Sequence, residues 1–123
     1  MSKVEKFEDL KCWQAARVLV REIFIACDQG KLSTDYDTRS QIKKASLSAM
    51  NNIAEGFGRY SKKDFVKFLN VAQSSVLEVD SMLYVLSDQR YLTAIEIDRI
   101  RTHALDTRKL TLGLIRYVKN TLG

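Results

Sequence analysis

The sequence predicts an all-α protein, an antiparallel up-down-up-down four-helix bundle. Three observations predict it. No proline and only five glycines occur among 123 residues, so little interrupts helical backbone. Apolar residues recur at alternating spacings of three and four along four segments, the period of a helix with one buried face. Short polar stretches join those segments, which sets consecutive helices side by side and antiparallel. A chain of this length has room for one real core and not for two. Residues 1–123 therefore read as one domain, without repeat, linker or low-complexity tract.

The first helix is expected over about residues 9–29. Asp9 is its expected cap, with Phe7 stapling against an early apolar residue. Its expected core stripe is Trp13, Ala16, Val20, Ile23 and Cys27, and Gly30 is expected to end it. After a short loop, KLSTD, a second helix is expected over about residues 36–57, with acids near its positive end. The stretch Gln41–Arg59, QIKKASLSAMNNIAEGFGR, organises the chain. Its inner positions, Ile42, Ala45 or Ser46, Ala49, Ile53 and Gly56, are mostly small, so a neighbouring helix can approach closely. The hairpin GFGRYS then turns the chain, with one glycine expected at positive φ.

The third helix, about residues 62–89, opens on Ser61 and Asp64, an abbreviated capping box. Its stripe is the cleanest in the chain: Phe65, Leu69, Ala72, Val76, Val79, Leu83 and Leu86. Thr93 and Glu96 form a better capping box for a fourth helix over about residues 94–122, about 44 Å long if unbroken. Its expected stripe is Ile97, Ile100, Ala104, Thr107, Thr111, Leu114 and Val118. Leu19, Phe24 and Ile25 on the first helix, and Leu105, Leu112 and Ile115 on the fourth, exceed what one bundle core readily hides. They are the candidates for an oligomer interface.

The formal net charge is +5, within reach of an anionic partner. Residues 31–60 carry five basic against three acidic side chains, and residues 93–123 carry six against three. Residues 1–30 and 61–92 are each balanced. The excess sits in Arg39, Lys43 and Lys44 on the second helix and in Arg101, Arg108, Lys109, Arg116 and Lys119 on the fourth. Arg59, Lys62, Lys63 and Lys67 gather at the start of the third, where free N–H groups favour an anion. These twelve are the candidate contacts to RNA or DNA phosphate. No aromatic interleaving points to base stacking. No run of 18 uncharged apolar residues is present. MSKVEKFEDLK lacks the apolar core of a signal peptide, so a cytoplasmic protein is expected.

Catalytic and cofactor chemistry find little footing. A dimetal site in a bundle needs Glu-x-x-His pairs, but His103 is the single histidine and Ile100 precedes it by three. No cofactor or metal is expected. A carboxylate-only site from Glu55 and Glu78 is the one alternative the composition offers. Ser46, Ser48, Ser74 and Ser75 lack a base other than His103. Cys12 and Cys27 fall in one expected helix about 22 Å apart, too far to pair with each other. Cys12, in a first turn beside Lys11, is placed where a thiolate is favoured. Gly56-x-Gly58 follows no strand and is no phosphate loop. Asn52, Glu55, Gln73 and Glu78 are expected to satisfy one another in a polar network that fixes helix register.

FEDLKCWQAA, QIKKASLSAMNNIAEGFGRYSKKDFVKFLNVAQSSVLEVDSML and the late RYLT together resemble the four-helix bundle family of 23S rRNA-intervening-sequence proteins. The resemblance covers nearly the whole chain, and Asn52-Ile53-Ala54-Glu55-Gly56 is its most specific piece. It implies a homopentamer of unestablished molecular role, encoded in insertions within bacterial 23S rRNA genes or elsewhere in bacterial genomes. The accessory proteins of diversity-generating retroelements are similar in fold and pentamer, and they bind nucleic acid and a reverse transcriptase. Members of the family often carry a proline in the second helix where this chain has Ala49-Met50, so a straighter helix is expected. The resulting expectation is a non-enzymatic homo-oligomeric bundle contacting RNA or DNA through a basic surface. Its alternative is a protein-interaction scaffold that binds no nucleic acid.

Overall fold

The computed structural model describes residues 4–121. Four helices form the bundle: α1, Lys11–Cys27; α2, Tyr36–Phe57; α3, Lys62–Asp88; and α4, Ala94–Asn120. Each packs against its neighbours in chain order, and α4 returns to close the square against α1. The up-down-up-down arrangement follows from the short connections. Residue 122 of the expected fourth helix lies outside the described residues.

The helix ends differ from expectation mainly around α1. Asp9 does not cap it; Phe7–Asp9 form a separate 3-10 turn, and Leu10 takes the cap position without a side-chain bond. Phe7 does clamp this entry, its ring packed edge-to-face on Trp13 at 5.1 Å. α1 ends at Cys27, before Gly30, and the expected loop is a second 3-10 turn, Gly30–Thr34, opened by Gly30 at φ +46°. Asp35 then caps α2 by accepting from the Thr38 N–H at 3.2 Å. α2 runs unbroken through Ala49-Met50. Ser61 caps α3 by accepting from the Asp64 N–H, and Thr93 and Glu96 complete both halves of the box on α4.

The α3 stripe is buried as expected, except that Phe65 is half-buried. α1 turns inward by a different phase: Cys12, Ala16, Leu19, Ile23, Ala26 and Cys27 are buried, while Trp13 and Val20 are only half-buried. On α4, Ile115 replaces the half-buried Leu114. Leu19, fully buried, and Ile115, 5% exposed, therefore belong to the core and cannot serve as interface residues.

The core divides into two apolar clusters. One, near the α1 C-terminus, contains Leu19, Ile23, Ile42, Val79, Leu83 and Ile100. The other, around the α2–α3 hairpin, contains Leu10, Ile53, Leu69, Ile115 and Val118. The buried polar residues Ser46, Ser75, Thr107 and Thr111 lie at mid-height, where the clusters meet. Each has a local hydrogen bond, as when Thr107 donates to the His103 carbonyl and Thr111 to the Thr107 carbonyl, and Ser75 also meets Ser48 of α2. Such back-bonding satisfies a buried hydroxyl without a partner helix.

Neither hairpin glycine has positive φ, contrary to expectation; the positive values belong to Gly30 and to Arg90 at φ 58°. Gly56 is needed for space. A Cβ there would lie 2.7 Å from Phe68 Cβ and 3.0 Å from Phe65 Cδ1. The glycine lets α2 and α3 approach closely above the hairpin.

Candidate nucleic-acid and assembly interface

The chemistry of the interior is that of a core. Burial pushes the Cys12 thiol up to about 11, and a hydrogen bond with Thr111 offsets this only partly. The expectation of a favoured thiolate is thus reversed, because Cys12 packs inward at the start of α1. Cys27 is also pushed up by burial, with Lys43 and Arg39 opposing. Both thiols are free and buried. We expect neither to react with a thiol-specific disulfide reagent in the native protein and both to react in denaturant, which absorbance of the released thiolate measures. His103 is half-buried beside Ala15 and Val18 in the α1/α4 groove. Among the described residues, no group of three His, Cys, Asp or Glu side chains could hold a metal ion.

The expected polar network does not form. Asn52 donates to the Ser48 carbonyl at 2.8 Å and to its hydroxyl at 3.1 Å, both within α2. Gln73 donates instead to the Arg108 carbonyl on α4 at 3.1 Å. Glu78 accepts from the Gln41 amide, and Glu55 is exposed. The side-chain link between the middles of α2 and α3 is Ser48 to Ser75, 2.8 Å. Small hydroxyls reach each other there because the helices approach closely, and further along the same pair of helices the longer Gln41 and Glu78 side chains meet. Glu78 lies beside Gln41, fourteen residues along α2 from Glu55, so the two carboxylates do not converge and form no shared site.

A second polar tie closes the other end. Tyr91 donates from its hydroxyl to Asp35 Oδ2 at 2.8 Å, joining the α3–α4 connection to the cap of α2. That bond, with those from Thr38, holds the Asp35 carboxyl below its usual range. It also raises the Tyr91 phenol. The stabilisation from Asp35 is present above the unfolded carboxylate pKa and is lost as pH falls through the depressed folded pKa. That from Tyr91 is present below the unfolded phenol pKa and is lost as pH rises through the folded one. Tyr91→Phe should move the Asp35 titration upward, read by NMR of its side-chain carboxyl, and start acid unfolding at higher pH.

The twelve basic candidates do not form one surface. At the top of the bundle, Arg39 pairs with Asp28 at 3.2 Å, and Lys43 lies over the Phe24 ring at 4.5 Å. Lys44, further along α2, is exposed. On the α3/α4 edge, Arg101 pairs with Asp80 at 2.9 Å and stacks on Tyr84, and Arg108 is half-buried next to exposed Lys109. The remaining six gather at the opposite end. Arg59 follows α2 and stacks over Phe68 at 4.7 Å. Lys62, Lys63 and Lys67 occupy the first turns of α3, and Arg116 and Lys119 the last turns of α4. Lys62 Nζ donates to the Thr121 carbonyl at 2.7 Å, which ties those two helix ends together.

Four of the six interface candidates are exposed: Phe24, Ile25, Leu105 and Leu112. The sequence reading missed an apolar set on α3, where Val71, Leu77, Tyr84 and Val85 are exposed as well. Their signal was an excess of apolar residues beyond the seven-residue stripe. The α3/α4 edge also leaves Gln73 Oε1, Arg101 Nη2 and Arg108 Nε buried without a partner in the chain. No helix among the described residues is long and apolar enough to cross a membrane.

The sequence profile described as 23S rRNA-intervening sequence protein matches residues 8–113. Among solved structures, the chain is similar to a protein of unknown function from the S23 ribosomal protein family of Bacteroides thetaiotaomicron. The TM-score is 0.78 at 22% identity, over 85% of this chain and 95% of that one. At that identity the likeness speaks for the fold alone. No curated protein matches the chain. The fold and the profile, which spans all but the ends of the bundle, lead to one conclusion: the chain belongs to the family of 23S rRNA-intervening sequence proteins.

Proposed function

We propose that this chain is a non-enzymatic, cytoplasmic, self-associating helical bundle that contacts nucleic-acid phosphates through its basic hairpin end. The observation that carries self-association is the set of large apolar side chains left exposed along α1, α3 and α4. Ile25 is 49%, Leu77 45%, Tyr84 62% and Leu105 54% exposed. Apolar surface spread along helix faces in this way marks contact with another protein surface. A subunit number of five follows the family resemblance.

The phosphate reading rests on the hairpin end. Arg59, Lys62, Lys63 and Lys67 surround the N-terminus of a 27-residue helix, and Arg116 and Lys119 extend the cluster across the end of α4. Cations and unpaired N–H groups there suit a phosphate backbone and carry no base specificity. The test is filter binding of nuclease-treated protein to 23S rRNA fragments and to unrelated DNA at two salt concentrations. Affinity should fall steeply between about 50 and 200 mM salt. Replacing Lys62, Lys63 and Lys67 by alanine should flatten that slope by about one for each phosphate no longer engaged. Absence of binding at low salt would leave a scaffold for a protein partner as the reading.

A further inference from the structure

Two faces of the bundle carry opposite charge on similar apolar backgrounds. The groove between α1 and α2 is lined by Trp13, Val20, Phe24 and Ile25 together with Arg17 and Arg21. Lys43 of α2 adds a third cation over Phe24. The acid at this groove, Asp28, is already engaged by Arg39. Arg17 and Arg21 take part in none of the ion pairs among the described residues.

α3 is the counterpart. From Phe68 to its end at Asp88 it contains Glu78, Asp80 and Asp88 and no lysine or arginine. Asp80 is neutralised by Arg101, whereas Glu78 meets only the neutral amide of Gln41. Glu78 and Asp88 are exposed among Val71, Leu77, Tyr84 and Val85. These residues recur at spacings that keep them on the side of α3 away from its core stripe.

We propose that the basic apolar groove between α1 and α2 receives the acidic outer face of α3 from a second copy of the chain. This rests on the self-association reading above and specifies its geometry. The two faces belong to different helices, so the contact is heterologous: each copy offers one face and accepts the other. Such contacts close into a ring or run on as a filament according to the rotation between copies. Apolar side chains supply the contact area, and the Arg17/Arg21 to Glu78/Asp88 complementarity fixes which face meets which.

The test uses two charge-reversed full-length chains, R17E/R21E and E78K/D88K. All four positions are exposed, so circular dichroism and thermal melts should show both variants folded. Sedimentation then reads the mass of each alone and mixed. Each variant alone opposes like charges across the contact, and its association should weaken by about 100-fold or more. Mixing them in equal amounts should restore association between unlike chains, because each such junction is either the wild-type charge pair or its full reversal. Alternation fills an even number of places, so the mix should give mixed dimers and even-numbered species rather than a closed ring of five. A chain carrying all four changes should also assemble. Reversed variants that keep the wild-type mass overturn this pairing while leaving self-association intact. A wild-type chain that stays monomeric overturns self-association itself, and this pairing with it.

Discussion

Gly56→Leu is expected to destabilise the bundle by roughly 3 kcal/mol or more, the upper range for forcing bulk into a packed contact. The added side chain would begin 2.7 Å from Phe68 Cβ. That atom is rooted on the α3 backbone and cannot swing aside, so the two helices must part above the hairpin. Alanine makes the sharper comparison. In an open helix Gly→Ala gains about 1 kcal/mol. Gly113, exposed on α4, is such a site, because a Cβ added there would meet nothing within 4 Å. Gly113→Ala should therefore raise the urea midpoint and Gly56→Ala should lower it. Equal and stabilising effects at both positions would mean that α2 and α3 are not in close contact at Gly56.

Leu83→Ala should cost about 2–5 kcal/mol, the usual range for a fully buried leucine. Leu83 is 0% exposed and packs in the cluster that joins α3 to Ile23, Ile42 and Ile100. Its surroundings are side chains of three other helices, which cannot all collapse into the space a truncated side chain leaves. Net stability of a domain this size is on the order of 5–15 kcal/mol. The variant should consequently show a much lower urea midpoint with an unchanged slope. A loss below about 1 kcal/mol would place Leu83 at a surface.

The seam of α3 was legible because its apolar residues admit one phase only. In α1 the run Val18–Cys27 is apolar except for Arg21 and Glu22, so two phases fit, and the bulk of Trp13 favours the wrong one. What decides is the neighbour: Leu19 enters the closed core, while Trp13 lies across its edge against Phe7. Gly56 illustrates the same limit. Its place in the small inner stripe of α2 predicts a close helix approach, but the atom that demands it, Phe68 Cβ, lies on another helix and cannot be named from that stripe.

The candidate surfaces were legible as residue types but not as groups. Twelve cations could be counted, yet three are engaged by Asp28, Phe24 or Asp80 through contacts across the bundle. The six at the hairpin end come together because α3 begins where α4 finishes. The polar network failed for a related reason. Asn52 and Glu78 found partners at Ser48 and Gln41, and periodicity along one helix carries no information about such pairings.

The central claim is that the exposed apolar rows are covered by other copies of the chain. Sedimentation equilibrium of the nuclease-treated wild-type protein at micromolar concentration tests it most directly. The expected result is a single species at five times the 14.1 kDa chain mass, retained as salt rises because apolar contacts are not screened. A 14.1 kDa species at every concentration and salt would contradict it.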